Sequence, residues 1–352
     1  MIKILHSADW HLDAPLLGKE ELKKALSSVP GKLAALCKDE NCDLVLLSGD
    51  LFDGTPSDSS VAALKKALSS MNVPVFITPG NHDYVAPGSI WLTEVWPENV
   101  HIFTDNQVKS HILENLDCTI YGASFTSMDC PSQLEGFRAG HTTRYGIGIF
   151  HGDPTMAASA YNPITQAQIR QSGLDYLALG HIHKAGSLLC GDTLCLWPGC
   201  PMGKDYGEPG EKGAYIITLN GSVSSRFVAL DTPRFYDLTL SATPSAREVL
   251  EHILPPAGSC DYYRITLTGE SAPLDIPGLL GVFSHIPHLE LKDETTPPVD
   301  VWKSLGSDTL EGQFFGMLKE EMDNADPAQK EILALAAKLS RKVLDGQEVV
   351  LP

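Results

Sequence analysis

Short apolar runs recur along this chain, and five of them are followed within a few residues by side chains of metal-binding type. Ile2-Lys3-Ile4-Leu5-His6 leads to Asp9 and His11, Leu44-Val45-Leu46-Leu47 to Asp50, and Val75-Phe76-Ile77 to Asn81 and His82. Ile147-Gly148-Ile149-Phe150 leads to His151, and Tyr176-Leu177-Ala178-Leu179 to His181 and His183. Branched residues in short runs bounded by Gly, Pro or Asp predict buried strands. Helical spacing fills the gaps. Gly31 to Asn41 predicts a short amphipathic helix, and Ser57-Asp58 offers an N-cap for a helix through Ser70 with Val61, Leu64 and Leu68 on one face. A further helix is predicted from Thr165 to Ser172. Strand-like runs then follow at Thr193–Trp197, Ala214–Leu219 and Ser222–Leu230, joined by Gly-rich turns. The alternation predicts an α/β sandwich of two sheets flanked by helices, spanning 1–231.

Thr232-Pro233 opens a change of character. Phe235–Leu240, a helix at Ser245–Ile253 and Tyr262–Thr268 predict a small α+β unit over 232–298, ending in the Glu294-Thr295-Thr296-Pro297-Pro298 linker. A helical segment, 299–352, carries Phe314, Phe315, Leu318, Ile332, Leu335 and Leu339 at helical spacing. Pro327 suits the first turn of its second helix, where a missing N–H costs nothing. Its apolar face either packs on this chain or docks a partner.

In an open α/β sheet the loops beyond the carboxyl ends of the strands converge on one crevice. Asp, Asn and His from five segments would therefore meet there, and an oxygen-and-imidazole set suits Mn²⁺, Fe²⁺, Zn²⁺ or, less comfortably, Mg²⁺. The pieces are Asp9-Trp10-His11, Gly49-Asp50, Gly80-Asn81-His82-Asp83, His151-Gly152 and Gly180-His181-Ile182-His183. A lone histidine beside an apolar strand is more often a hydrogen-bonded core residue. Five such pieces in order, each behind a strand, leave coincidence little room.

This order of motifs resembles the calcineurin-like metallophosphoesterase superfamily and, within it, the SbcD-type DNA repair exonucleases. The wording of that branch is carried by Leu5-His6-Ser7-Ala8-Asp9-Trp10-His11-Leu12, by Asp43 through Asp53, by Thr78-Pro79-Gly80-Asn81-His82-Asp83, by Asp175 through His183 and by Trp197-Pro198-Gly199. Leu12 and Phe52-Asp53-Gly54 stand where the protein-phosphatase branch has Gly and Arg. The resemblance covers residues 1 to about 230. It implies a four-layer α/β/β/α metallophosphoesterase sandwich with a smaller C-terminal α+β capping unit and terminal helices. It also implies two divalent ions, most often Mn²⁺, bridged by Asp50, with Asp9, His11 and His183 on one and Asn81, His151 and His181 on the other. A metal-bound hydroxide then attacks the phosphodiester, while His82 contacts the phosphate and assists the leaving oxygen. Asp83 joins His82 as a catalytic residue if it accepts the other ring N–H; otherwise it caps the next segment. His82 itself could instead anchor only its turn. Partners implied are DNA, an SbcC-like SMC-type ATPase that binds C-terminal helices, and a second copy docking through helices after the GNHD loop, here Ser89–Trp96.

Other polar residues carry blander expectations. His6 is expected to be packed inside its strand, Asp53 to support a turn or a metal-ligand residue rather than bind metal, and Asp153 to serve a turn. Trp10 is expected to be buried, and Lys204 to Glu208 to form a rim loop.

Composition narrows the picture. The 352 residues include 26 basic and 44 acidic side chains, a formal charge of −18, which argues against a protein that coats DNA by neutralising phosphates. Bound cations or a partner would have to supply positive charge. That balance keeps a second reading in view: a phosphoesterase for a small phosphodiester or phosphomonoester such as a cyclic nucleotide. A third reading, a binding scaffold with a degenerate site, requires a missing ligand, and all seven are present. The eight cysteines lack CxxC spacing and are expected to be reduced in a cytoplasmic protein. No apolar stretch predicts a membrane span and no secretory leader precedes the first strand.

Overall fold

The computed structural model describes residues 1–140 and 142–347. The chain forms two compact units, Met1–Asp237 with Cys260–Tyr262, and Leu238–Ser259 with the chain from Tyr263 onward.

In the first unit the five apolar runs are all strands. β1 (Ile2–Ser7), β2 (Leu44–Leu47), β3 (Val75–Ile77) and β4 (Val100–Ile102) lie side by side in parallel. They alternate with α1 (Glu20–Ser27), α2 (Val29–Asp39), α3 (Asp58–Met71) and a single turn, α4 (Ile90–Thr93). A second sheet takes β5 (Lys109–Leu113), β6 (Cys118–Gly122), β7 (Tyr145–His151), β8 (Tyr176–Gly180), β9 (Gly186–Cys190) and β10 (Thr193–Trp197), with α5 (Gln166–Gln171) between β7 and β8. The chain then returns to the first sheet as β11 (Gly213–Leu219) and β12 (Val223–Ala229), giving the orders β12-β11-β1-β2-β3-β4 and β5-β6-β7-β8-β10-β9.

Strand alternation divides the apolar residues between three cores. Ile4, Leu44, Leu46 and Phe76 of the first sheet meet Ile120, Ile147, Ile149 and Tyr176 of the second, so the sheets pack face to face. Leu5, Val45, Leu47 and Ile77 point the other way, onto Leu22, Leu33, Leu64 and Leu68 of α1 to α3. Phe150, Leu177 and Leu179 meet Ile169 of α5. The result is the expected four-layer α/β/β/α sandwich. Ser57 caps α3 by accepting from the Ser60 N–H at 3.2 Å, and Thr165 and Gln168 form a reciprocal capping box on α5.

The second unit takes most of β13 (Phe235–Ser241) and β14 (Tyr262–Thr268), with α6 (Ala246–Ile253), α7 (Ile276–Val282) and β15 (Leu289–Asp293), in the sheet order β13-β14-β15. α8 (Leu310–Asn324) and α9 (Pro327–Leu344) follow. They bury Phe315, Ala337 and Arg341, the guanidinium lying over the Phe315 ring, and leave Leu310, Met317 and Ile332 exposed. No helix among the described residues is long and apolar enough to cross a membrane.

The segment Ser89–Trp96 departs from expectation. Only Ile90–Thr93 is helical, because Glu94 turns extended at ψ 145° and Pro97 follows.

Candidate metal centre

All seven predicted ligands come together where the loops leaving β1, β2, β3, β7 and β8 meet. Backbone pairing zips these loops: Asp9 N–H donates to Gly49 O at 3.0 Å, His11 N–H to Asp50 O at 3.0 Å, and Leu12 N–H to Leu51 O at 2.9 Å. The second sheet joins through His181 N–H, which donates to the Asp9 carboxylate at 2.9 and 3.1 Å. The approach is tight enough to require glycine. A Cβ on Gly80 would lie 2.2 Å from Asp50 Oδ1, and one on Gly180 2.0 Å from Ser48 O. Four of the seven residues hold positive φ, Asp9 at 55°, His11 at 47°, Asp50 at 51° and His181 at 96°. Backbone strain of this kind is held by surrounding structure and clusters at functional sites.

Two groups share the centre. Asp9, His11 and His183 form one; Asp9, Asp50 and His151 form the other, with Asn81 and His181 beside it. Asp50 Oδ2 lies between them, 3.8 Å from His11 Nε2 and 3.3 Å from His151 Nε2.

Hydrogen bonding fixes which ring atoms are free. His11 Nδ1 lies 3.3 Å from Asp53 Oδ1, and His183 Nδ1 meets Glu208 Oε1. An ionised carboxylate only accepts, so both protons sit on Nδ1. That leaves the lone pairs of two Nε2 atoms facing each other 3.0 Å apart. His151 repeats the arrangement. Its Nδ1–H donates to Ser48 O at 2.8 Å, so Nε2 faces Asn81 Oδ1 at 3.0 Å and Asp50 Oδ2 at 3.3 Å. Ring nitrogens and oxygens crowded this closely need positive charge between them, a proton or a cation, and carboxylate, amide and imidazole suit a divalent first-row metal.

The buried carboxylates draw positive charge to the centre, and in the protein alone a proton on His151 supplies it. Burial pushes His151 down, but the attraction of Asp50 and Asp9 outweighs it and lifts the imidazole to about 9. Burial likewise raises Asp50, and His151 and His11 overcome it, holding the carboxyl below its usual range. Asp9 is raised by burial. His181 is lowered to about 4 by burial and by repulsion from His151. Burial raises Glu208, but the bond to and charge of His183, together with Lys204, outweigh it and bring the carboxyl to about 2.

His82 stands at the edge, its side chain 42% exposed and its ring 4.7 Å from that of His11. Its Nδ1 lies 2.9 Å from Asp53 Oδ1, the same oxygen that His11 meets. Here the expectation for Asp83 needs correction. Asp83 does not orient His82; it is buried and accepts from Gly80 N–H at 2.8 Å, Leu51 N–H at 2.8 Å and Phe52 N–H at 3.3 Å, tying the β2 and β3 loops together. Burial and the charge of Asp50 lift its carboxyl to about 7.

Asp53 supports His11, one of the two roles the sequence suggested for it, while Glu208, expected to lie on a rim loop, escaped the sequence reading as a supporting carboxylate. Glu208 also accepts from Lys204 N–H at 2.8 Å, so the loop after β10 closes behind His183. The spacing of Asp53, three residues past Asp50, was the available signal. Asn162 is a further support, donating to His151 O at 2.7 Å. His6 is packed, as expected, and Trp10 is buried with its indole N–H on Ser7 Oγ at 2.9 Å. Asp153 holds the Thr155 turn.

Residues 2–185 match the calcineurin-like phosphoesterase family. The chain is similar to an uncharacterized metallophosphoesterase of Bacillus subtilis (strain 168), YhaO, with 28% identity over 92% of this chain and 88% of that protein. Among solved structures, a dimetal phosphatase from Danio rerio is similar with TM-score 0.47 and 11% identity, over 65% of this chain and 96% of that one. An archaeal phosphodiesterase is similar with TM-score 0.39 and 19% identity, over 65% and 100%.

Proposed function

The chain belongs to the calcineurin-like phosphoesterase family, and from that premise we propose that it is a two-metal phosphodiesterase that cleaves DNA, of the SbcD type. Membership makes it a metal-dependent hydrolase of phosphate esters. The observation that carries the phosphodiesterase reading is the position of Asp50 Oδ2 between the ring nitrogens of two ligand groups, 3.8 Å from His11 Nε2 and 3.3 Å from His151 Nε2. The nuclease reading rests on motif wording, chiefly Asp9-Trp10-His11-Leu12 and Gly49-Asp50-Leu51-Phe52-Asp53.

Asp9, His11 and His183 would hold one divalent ion and Asn81, His151 and His181 the other, with Asp50 between them. When bound, such a pair supplies a water ionised near neutral pH and positive charge for the phosphate. The chain's own residues do the rest. Asp53 Oδ1 lies 2.9 Å from His82 Nδ1 and steadies the ring by its charge, leaving His82 exposed at the edge of the centre. There it can hydrogen-bond the phosphate or pass a proton to the departing oxygen. Glu208 and Asp53 hold His183 and His11 in the tautomer that offers Nε2 to a cation. Mn²⁺ is the proposed metal, and the cytoplasm the proposed location. A second copy and an SMC-type ATPase are the proposed partners, the latter on α8 and α9.

The charge of −18 favours a second reading, a small phosphodiester or phosphomonoester as substrate. Incubating Mn²⁺-loaded protein with linear DNA and with bis-p-nitrophenyl phosphate separates the two. Cleavage of both supports the nuclease. Cleavage of the small ester alone, at every salt and metal tried, removes it.

A further inference from the structure

A cavity of about 350 Å³ opens beside the metal centre, and His82 belongs to the lining of the one and the edge of the other. Its walls are Phe52, Pro56, Tyr84, Pro87 and Trp91, flat apolar surfaces joined by the hydroxyls of Thr55 and Ser89. The floor is firm. Phe52 and Trp91 are buried with ring centroids 5.8 Å apart, and the Trp91 indole N–H donates to Asp83 O at 2.5 Å. Tyr84 is half-buried and, among the described residues, its ring has no aromatic partner. The Ser89 hydroxyl likewise lacks a hydrogen-bond partner.

The chemistry of this lining selects its guest. It holds no Lys or Arg, so it has nothing to offer a second phosphate. Flat apolar walls with a few polar atoms suit a planar heteroaromatic ring, and the volume is of the size that takes a small ligand. A base is joined to its own phosphate through one sugar, so a cavity that shares His82 with the metal centre lies within the span of a single nucleotide. Resting on the phosphodiesterase reading above, we infer that this cavity binds the base of the nucleotide whose phosphate occupies the metal centre, with Tyr84 as the stacking surface. Such stacking accepts any base, because every base has a π-face. It also gives an acidic protein a hold on a polyanion that does not depend on surface lysines.

The test is calorimetric titration of the full chain in Mn²⁺ with dAMP and with 2-deoxyribose 5-phosphate, which lacks the base. The wild type is expected to bind dAMP about tenfold or more tightly than the sugar phosphate, the range of one base–aromatic stack. Tyr84→Ala is expected to bring the two affinities together, and Tyr84→Phe to keep them apart, with sugar phosphate affinity and melting temperature unchanged in both. Equal affinities in the wild type overturn the inference. So does a difference that survives Tyr84→Ala, or a variant that weakens both ligands alike. Linear DNA is assayed in parallel. If DNA stays intact while dAMP is still preferred, the nuclease reading fails and the cavity stands; the reverse result removes the cavity alone.

Discussion

His11, His151 and His183 each have one nitrogen committed to the protein and one turned into the centre. The committed side is where Glu208 and Asp53 act, and it makes their roles separable by mutation. Glu208→Gln keeps the size of the side chain but gives His183 a weaker, neutral acceptor. Metal affinity is expected to fall about 10–100-fold, read by titrating apo protein with Mn²⁺. His82→Ser removes no proposed ligand. It is expected to retain both metals by elemental analysis while kcat on bis-p-nitrophenyl phosphate drops about 10²–10⁴-fold. Near-normal turnover would take His82 out of the reaction. The seven clustered residues were legible because each is announced by a strand and a short motif. Asp53 aside, their supports were not. Glu208 stands 25 residues from the histidine it holds, and Asp83 was read as the partner of His82 because it is its neighbour. Adjacent residues in a tight turn point apart, and the carboxylate that reaches His82 comes from another loop.

At the scale of elements, patterning worked where a segment is buried on a periodic face or carries a cap. α3 and α5 start where Ser57 and Thr165 announce them, and β10 and β14 begin and end as read. It failed on β4, β5, β9 and β15, which are short and only partly buried, on α7, on α1, where Lys and Glu outnumber the two buried leucines, and on β6 although that strand is buried throughout. What no pattern reveals is how closely the two sheets approach at their carboxyl ends. Gly180 lies in β8 of one sheet, and its missing Cβ makes room for Ser48 O beyond β2 of the other, 2.0 Å from where that Cβ would stand. The obstacle is backbone, which cannot rotate aside. Gly180→Ala is therefore expected to destabilise the metal-free protein by about 2–4 kcal/mol in urea denaturation. It should also lower Mn²⁺ affinity, since His181 follows directly. A variant as stable as wild type would mean that the sheets are held less rigidly than these distances imply.

For the whole molecule, the joint between the sheets contains a titrating group that never meets substrate. His6 on β1 is fully buried and spans the gap. Its Nε2–H donates to Leu179 O at 3.1 Å, and its Nδ1 accepts from the Tyr176 hydroxyl at 2.7 Å, both on β8. That pattern needs a neutral ring, and burial lowers its pKa to about 3. The unfolded chain binds a proton near the ordinary histidine value of about 6.5. Between those two points the unfolded state holds more protons, so stability is whole above about 6.5 and is lost as pH falls toward 3. By pH 5 the loss assigned to His6 is about 2 kcal/mol. Asp83 and His151, both raised in the folded state, act in the opposite direction as pH falls, so the raw pH profile does not isolate His6. Comparing wild type with His6→Gln does, because glutamine does not titrate and the other groups cancel. Whatever the substitution costs at pH 7, the EDTA-treated variant is expected to lose about 2 kcal/mol less than wild type between pH 7 and pH 5. Parallel profiles for the two proteins would show that His6 is not held neutral between the sheets.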